Sequence, residues 1–211
     1  MIKYKIKNNK KLIAIISAII GVITILLITF CFVKSYDKNL TVEQKELKRA
    51  SKNTSISSKG VQSYRVNVIF INKKDSKLNQ NYIVYNYNNQ NYSITLFDGT
   101  ESKNYIVKKG ETSKDLKYDY TNTDLFLEGF EKGKNIKTEN KTISNQKYKL
   151  FTFDIDSDVV NNILKPFDVS TNLLSRGSVY VDSNNNVYLI RYDNEDINIS
   201  VSYTRLNQIN K

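Results

Sequence analysis

The chain has 211 residues and a formal charge of +11, but five lysines (Lys3, Lys5, Lys7, Lys10, Lys11) precede an apolar run, and beyond position 33 only 27 basic residues face 21 acidic ones, a net of +6. That remainder is thinly spread and the whole chain holds five Arg, whereas phosphate and base readout clusters Arg with aromatics, so nucleic acid is excluded as a partner. With no His, a single Cys (Cys31), no Gly-x-Ser-x-Gly elbow and no Gly-rich phosphate loop, a disulfide framework and a Cys-based zinc site are excluded, and the chain reads as a non-enzyme without a cofactor.

Residues 1–11 form a basic tip. Leu12 to Val33 follow as 22 residues without a charge, 15 of them Leu, Ile, Val or Phe, with Gly21 near the middle. As a helix this run spans about 33 Å, enough for a hydrocarbon core of about 30 Å. It is too long for the apolar region of a cleaved signal peptide, and Val33-Lys34-Ser35 is a poor cleavage site. Cys31 opens a lipoprotein-type reading, but Phe30 stands where such processing motifs want a small residue, so Cys31 reads as a small apolar residue in a membrane helix. The lysines before the run keep the N-terminus in the cytoplasm by the positive-inside bias. The expectation is a single-pass cell-membrane protein with its C-terminal domain outside, in contact with membrane lipids. Lys, Asn, Ile and Tyr abound while Trp is absent and Pro occurs once; the favoured residues share A/T-rich codons, which points to a low-GC bacterium.

Residues 34–60 are polar and read as a juxtamembrane stalk. Within it Thr41 and Gln44 resemble a capping box and Val42 to Ala50 favour helix, with a thin apolar face of Leu40, Leu47 and Ala50 that packs weakly on the domain or merely spaces it from the lipid. From residue 61 to 211 the period changes to two, the beat of strands with one wet face. It is carried by Tyr64 to Phe70, Tyr82 to Tyr87, Tyr92 to Phe97, Tyr105 to Val107, Ile136 to Ile143, Lys147 to Ile155, Val179 to Val181, Val187 to Tyr192 and Ile197 to Tyr203. That is about nine short strands. Asn88-Asn89-Gln90, Asp98-Gly99, Ser144-Asn145, Ser183 to Asn186 and Asp193-Asn194 suit tight reversals, so neighbours pair antiparallel. Thr123 to Lys132 and Ser157 to Leu164 have helical spacing and are read as short helices lying across the apolar face of the sheet. The fold class is therefore a transmembrane helix plus a mainly-β (α+β) ectodomain, an antiparallel curved sheet with two or three short helices.

Asp154-Ile155-Asp156-Ser157-Asp158 opens like a calcium loop, then fails: Val159 stands where a Gly is needed and Lys165 where a Glu is. These acids read as caps of the following helix, not as a metal site. Fifteen Tyr and nine Phe are the most distinctive feature. Their plain reading is core and sheet surface. The sharper one is a concave face of Tyr64, Val66, Val68, Phe70, Tyr82, Val84, Tyr92, Ile94, Leu96, Tyr188 and Ile190 sheltering an apolar ligand, with phenols as polar anchors.

The order of elements resembles the unclosed half-barrel of the LolA/LppX-like lipoprotein-carrier superfamily: a membrane signal, a short helix, antiparallel strands, an interrupting helical patch and three closing strands. The stretches Val179-Tyr180-Val181-Asp182, Val187 to Tyr192 and Ile197 to Tyr203 are similar to its final hairpins. The resemblance implies, over about residues 41 to 205, a curved sheet that holds acyl chains or a lipidated partner. A helix anchor in place of a soluble or lipid-anchored form argues against free shuttling. An exposed aromatic concavity supports ligand binding; a face filled by Phe126, Phe130, Val160 and Leu164 removes it. The competing expectation is a non-catalytic envelope interaction or sensor module that binds an envelope protein through its edges and loops, for instance by strand addition.

Overall fold

The computed structural model describes residues 14–26, 39–55, 63–87, 91–98, 101–108, 115–116 and 118–205. They fall into two units, Met1–Thr41 and Val42–Lys211. In the first, residues 14–26 form helix α1, whose large apolar side chains from Ile15 to Leu26 are all exposed. Thr24 Oγ1 donates to the Ile20 carbonyl at 2.8 Å, the back-bond by which a hydroxyl is satisfied on an apolar helix. Gly21 lies in this helix, and a side chain there would meet nothing within 4 Å. Among the described residues no helix is long and apolar enough to cross a membrane; Leu12, Val33, Cys31 and the basic tip lie outside the described residues.

The second unit is one sheet of nine antiparallel strands in the order β4-β3-β2-β1-β9-β8-β7-β6-β5. The strands are β1 Ser63–Asn72, β2 Gln80–Tyr87, β3 Asn91–Asp98, β4 Glu101–Lys108, β5 Lys134–Ile143, β6 Gln146–Ile155, β7 Ser175–Asp182, β8 Val187–Asp193 and β9 Ile197–Arg205. Two meanders, β1–β4 and β5–β9, are welded by the pairing of β1 with β9, where Val66 faces Tyr203 and Val68 faces Val201. Among the described residues β4 and β5 are the edges of the sheet, which is unclosed. The β5–β6 turn is set by Ser144 and Asn145 at φ 47° and 64°, the left-handed pair that a tight hairpin requires. At the next hairpin the Asp182 carboxylate accepts from the backbone N–H of Asn184 and Asn186.

The period-two beat places one side of every strand against a common core. Val66, Val84 and Ile94 lie opposite one another across β1, β2 and β3 and are fully buried, because alternate side chains share a face. The strands with the weakest beat are the two edges: of β4 only Val107 is buried, and β5 buries nothing. β5 carries Lys134, Lys137 and Lys141, the kind of charge that keeps an open edge from pairing with other chains.

Among the described residues, five short helical pieces and one longer helix complete the unit. Helix α2, Val42–Thr54, buries Leu47, Ala50 and Thr54. This corrects the expectation of a weakly packed spacer: Leu47 and Ala50 are core residues. Gln44 donates to the Gly133 carbonyl at 3.2 Å, Lys149 meets Glu46 at 2.5 Å, and Thr54 Oγ1 accepts from the Val187 N–H at 2.7 Å, so α2 is fastened at three heights. Thr123 to Lys132 forms two 3-10 turns, Thr123–Leu127 and Phe130–Lys132, separated by Gly129 at φ 80°. A single α-helix is ruled out there by that left-handed residue. Helix α3 is Ser157–Leu164, followed by a 3-10 turn at Lys165–Phe167; a further turn, Ser76–Leu78, carried no sequence signal. Asp156 sits at the N-cap of α3, but its carboxylate binds Lys134 at 2.7 Å instead of capping the helix. Every member of the core cluster lies between Leu47 and Tyr203, so this unit contains its own core and is a fragment able to fold by itself.

Candidate apolar site beneath the helical cover

Nine of the eleven proposed ligand residues, Tyr64, Val66, Val68, Phe70, Tyr82, Val84, Tyr92, Ile94 and Ile190, point to the same side of the sheet and are buried; Leu96 is half-buried against them. Tyr188 is not with them. The pairing of β7 with β8 shifts between Tyr180 and Val181, and this bulge, two residues against one, turns Tyr188 to the outer face. There it stacks on Tyr148 with ring centroids 4.7 Å apart. The alternation past the bulge brings in Tyr192 instead, fully buried on the inner face. Its spacing of two from Ile190 was the signal available for it.

The inner face is not open. Phe126, Phe130, Val160 and Leu164 are all at most 1% exposed and pack into it, with Leu127, Val159, Ile163 and Phe167. The expectation of an exposed aromatic concavity is overturned, because the two helical patches supply enough large apolar side chains to fill it. Phe167 stacks on Phe70 at 4.3 Å and 16°, and Tyr120 meets Tyr82 edge-on at 4.8 Å. Two phenols pin the cover: Tyr203 donates to the Thr123 carbonyl at 2.8 Å, and Tyr64 shares a hydrogen bond of 2.9 Å with the Thr123 hydroxyl.

Above the cover lies a cleft of about 620 Å³ between α2, the 3-10 turns and α3. Its rim is charged, with Lys48, Lys52 and Lys132 alongside Asp124, Glu128 and Glu131. Its floor includes Leu127, Val159 and Ile163, which also belong to the core cluster. The partition between cleft and core is thus one layer of side chains. Ser51 Oγ donates to the Leu127 carbonyl at 2.7 Å and Ser55 Oγ to Asp124 at 2.6 Å, joining the α2 wall to the 3-10 wall.

Burial holds the inner phenols neutral. It pushes the hydroxyls of Tyr82, Tyr203, Tyr64 and Tyr192 well above their ordinary 10.0, outweighing for Tyr64 the hydrogen bond from Thr123; the charge of Glu131 adds to the effect at Tyr192. Tyr192 differs from Tyr64 and Tyr203 in one respect: its hydroxyl has no hydrogen-bond partner among the described residues. The arrangement is a buried apolar interior holding several neutral phenols. It suits the binding of a hydrocarbon better than the movement of a proton.

No family model matches the chain, and no curated protein matches it in sequence. Solved structures do match in shape. The Mycobacterium tuberculosis lipoprotein LppX aligns at TM-score 0.51 and 15% identity, over 80% of this chain and 96% of its own. LprF from Mycobacterium bovis aligns at 0.50 and 16%, over 82% and 96%. A LolA superfamily protein from Nitrosomonas europaea aligns at 0.25 and 12%, over 79% and 94%. On the first two of these, the chain has an LppX-like fold.

Proposed function

We propose that this chain is a non-catalytic, membrane-tethered module of the cell envelope that binds an acyl chain by exchange, the ligand taking the place of the helical cover on the inner face of the sheet. The observation that carries this reading is how that face is closed. It is covered by two 3-10 turns and the eight-residue α3, with the longer α2 contributing Leu47 and Ala50 beside them, not by a second sheet. Helices this short are not stable alone, so burial of their inner side chains is what holds them. Uncovering the eight side chains of this cover costs about 12–24 kcal/mol, and burying about 16 methylenes contributes about 13 kcal/mol, whereas an eight-carbon chain contributes only about 6. Only a long chain therefore approaches the cost of the cover.

Support for the tether comes from α1, whose large apolar side chains from Ile15 to Leu26 are exposed, and from the lysines before it. The basic tip is cytoplasmic in this reading and residues from 34 onward are exported. A reporter enzyme fused after Lys211 that is active only outside the membrane agrees with this; activity confined to the cytosol contradicts it.

The filled inner face favours a second reading, in which the closed domain acts only through protein contacts. Lipid extraction and mass spectrometry of the exported fragment 39–211 separate the two. Exchange predicts a stoichiometric lipid with chains of about 16 carbons, whereas a contact module yields none.

A further inference from the structure

Resting on the exchange reading, we infer that the Tyr192 hydroxyl is the polar anchor of the acyl site and selects ligands that carry a carbonyl oxygen at the head of the chain, such as an ester. Tyr192 lies on β8 between Gly177 of β7 and Ile199 of β9. A side chain at Gly177 would collide with the Phe153 ring, so the position across from Tyr192 on β7 is occupied by that ring. Tyr192 is fully buried, and its hydroxyl has no partner among the described residues. A donor left unmade in a dry interior is costly, and native proteins keep few of them without a use. The two other inward phenols of this quarter, Tyr64 and Tyr203, spend their hydroxyls on Thr123 of the cover. Tyr192 alone of the three holds a hydrogen bond in reserve.

The Phe153 ring beside Gly177 meets Phe130 with centroids 6.2 Å apart, and the chain on either side of Phe130, Gly129 and Glu131, lines the cleft, so Tyr192 lies under this part of the cover. Burial, with the charge of Glu131 added to it, keeps the phenol protonated. A phenol held neutral donates, so its complement is an acceptor. A hydrocarbon passing through the one-layer floor of Leu127, Val159 and Ile163 brings its head group last, which leaves the head-proximal carbonyl between the apolar core and the charged rim. An ether or a plain hydrocarbon offers no acceptor of equal strength.

Two lysophospholipids with the same choline head and 16-carbon chain, one joined by an ester and one by an ether, isolate the carbonyl. Each is titrated calorimetrically into fragment 39–211 below its micelle-forming concentration. The ester should bind about two- to tenfold more tightly, the worth of one neutral hydrogen bond. Tyr192→Phe should bind both lipids equally, at the affinity of the wild-type chain for the ether. It should also unfold at the same or a higher temperature, because it removes an unpaired buried hydroxyl. Binding of both lipids with no preference in the wild-type chain overturns the anchor and leaves exchange intact. A preference that survives in Tyr192→Phe also overturns it. Binding of neither lipid overturns exchange, and the anchor with it.

Discussion

Three inward tyrosines on neighbouring strands differ in what their hydroxyls touch, and that difference sets the effect of removing them. Tyr203→Phe strips the buried Thr123 carbonyl of a donor and should cost about 1–3 kcal/mol in urea unfolding. Tyr192→Phe should cost nothing, and equal losses in the two variants would contradict the assignment of partners. A methyl group at Gly177 would collide with the Phe153 ring, so Gly177→Ala should lose about 1–3 kcal/mol by overpacking; the control Gly21→Ala, in open space, should leave unfolding unchanged. The raised phenols also fix a pH window. Tyr82, Tyr203, Tyr64 and Tyr192 ionise above 10.0 when folded, whereas in the unfolded chain they ionise near 10. Their contribution to stability is whole below that value and drains away as pH rises past it. An ultraviolet titration of fragment 39–211 should therefore show exposed tyrosines ionising gradually near pH 10, and these four ionising only with cooperative unfolding at higher pH. A single smooth titration of all tyrosines would contradict their burial.

At the scale of elements, helix α2 separates this account most sharply from a spacer role. Leu47→Ala should cost about 2–5 kcal/mol, as for a filled core position, while a spacer would tolerate it without change in the unfolding midpoint. The strands of the two meanders were legible because a half-buried strand writes its alternation into the sequence, as Tyr64, Val66, Val68 and Phe70 do. Helix α3 was legible to the residue, since Val159, Val160, Ile163 and Leu164 follow helical spacing and Pro166 stops the run. The thin apolar face of α2 was misread because only Leu47 and Ala50 are needed to fill the space it covers, and two residues make a faint pattern. Tyr188 was misplaced because a bulge adds one residue between strand partners, and nothing in Asn186-Val187-Tyr188-Leu189 announces where that residue falls. Extending the alternation from Ile190 would have found Tyr192. A face filled by Phe126, Phe130, Val160 and Leu164 was one of the two outcomes the sequence left open; the choice between them was not legible, because the volume of the helical patches relative to the concavity is a property of the folded shape.

For the whole molecule, the account rests on a cover that is weaker than the sheet it closes. Amides of Thr123 to Lys132 and of α3 should exchange with solvent well before those of β1 and β9, which pair with strands on both sides. The chain-length dependence belongs at this scale too, because it balances the entire cover against the entire ligand: 16-carbon lysolipids should bind and eight-carbon ones should not. Hydrogen exchange of fragment 39–211 with and without the 16-carbon ester tests the central claim most directly. Exchange between cover and ligand predicts that residues 123–132 and 157–164 lose protection on binding while β1, β8 and β9 keep or gain it. Unchanged or increased protection in the cover, with lipid bound, would mean that the ligand sits elsewhere and the inner face stays shut.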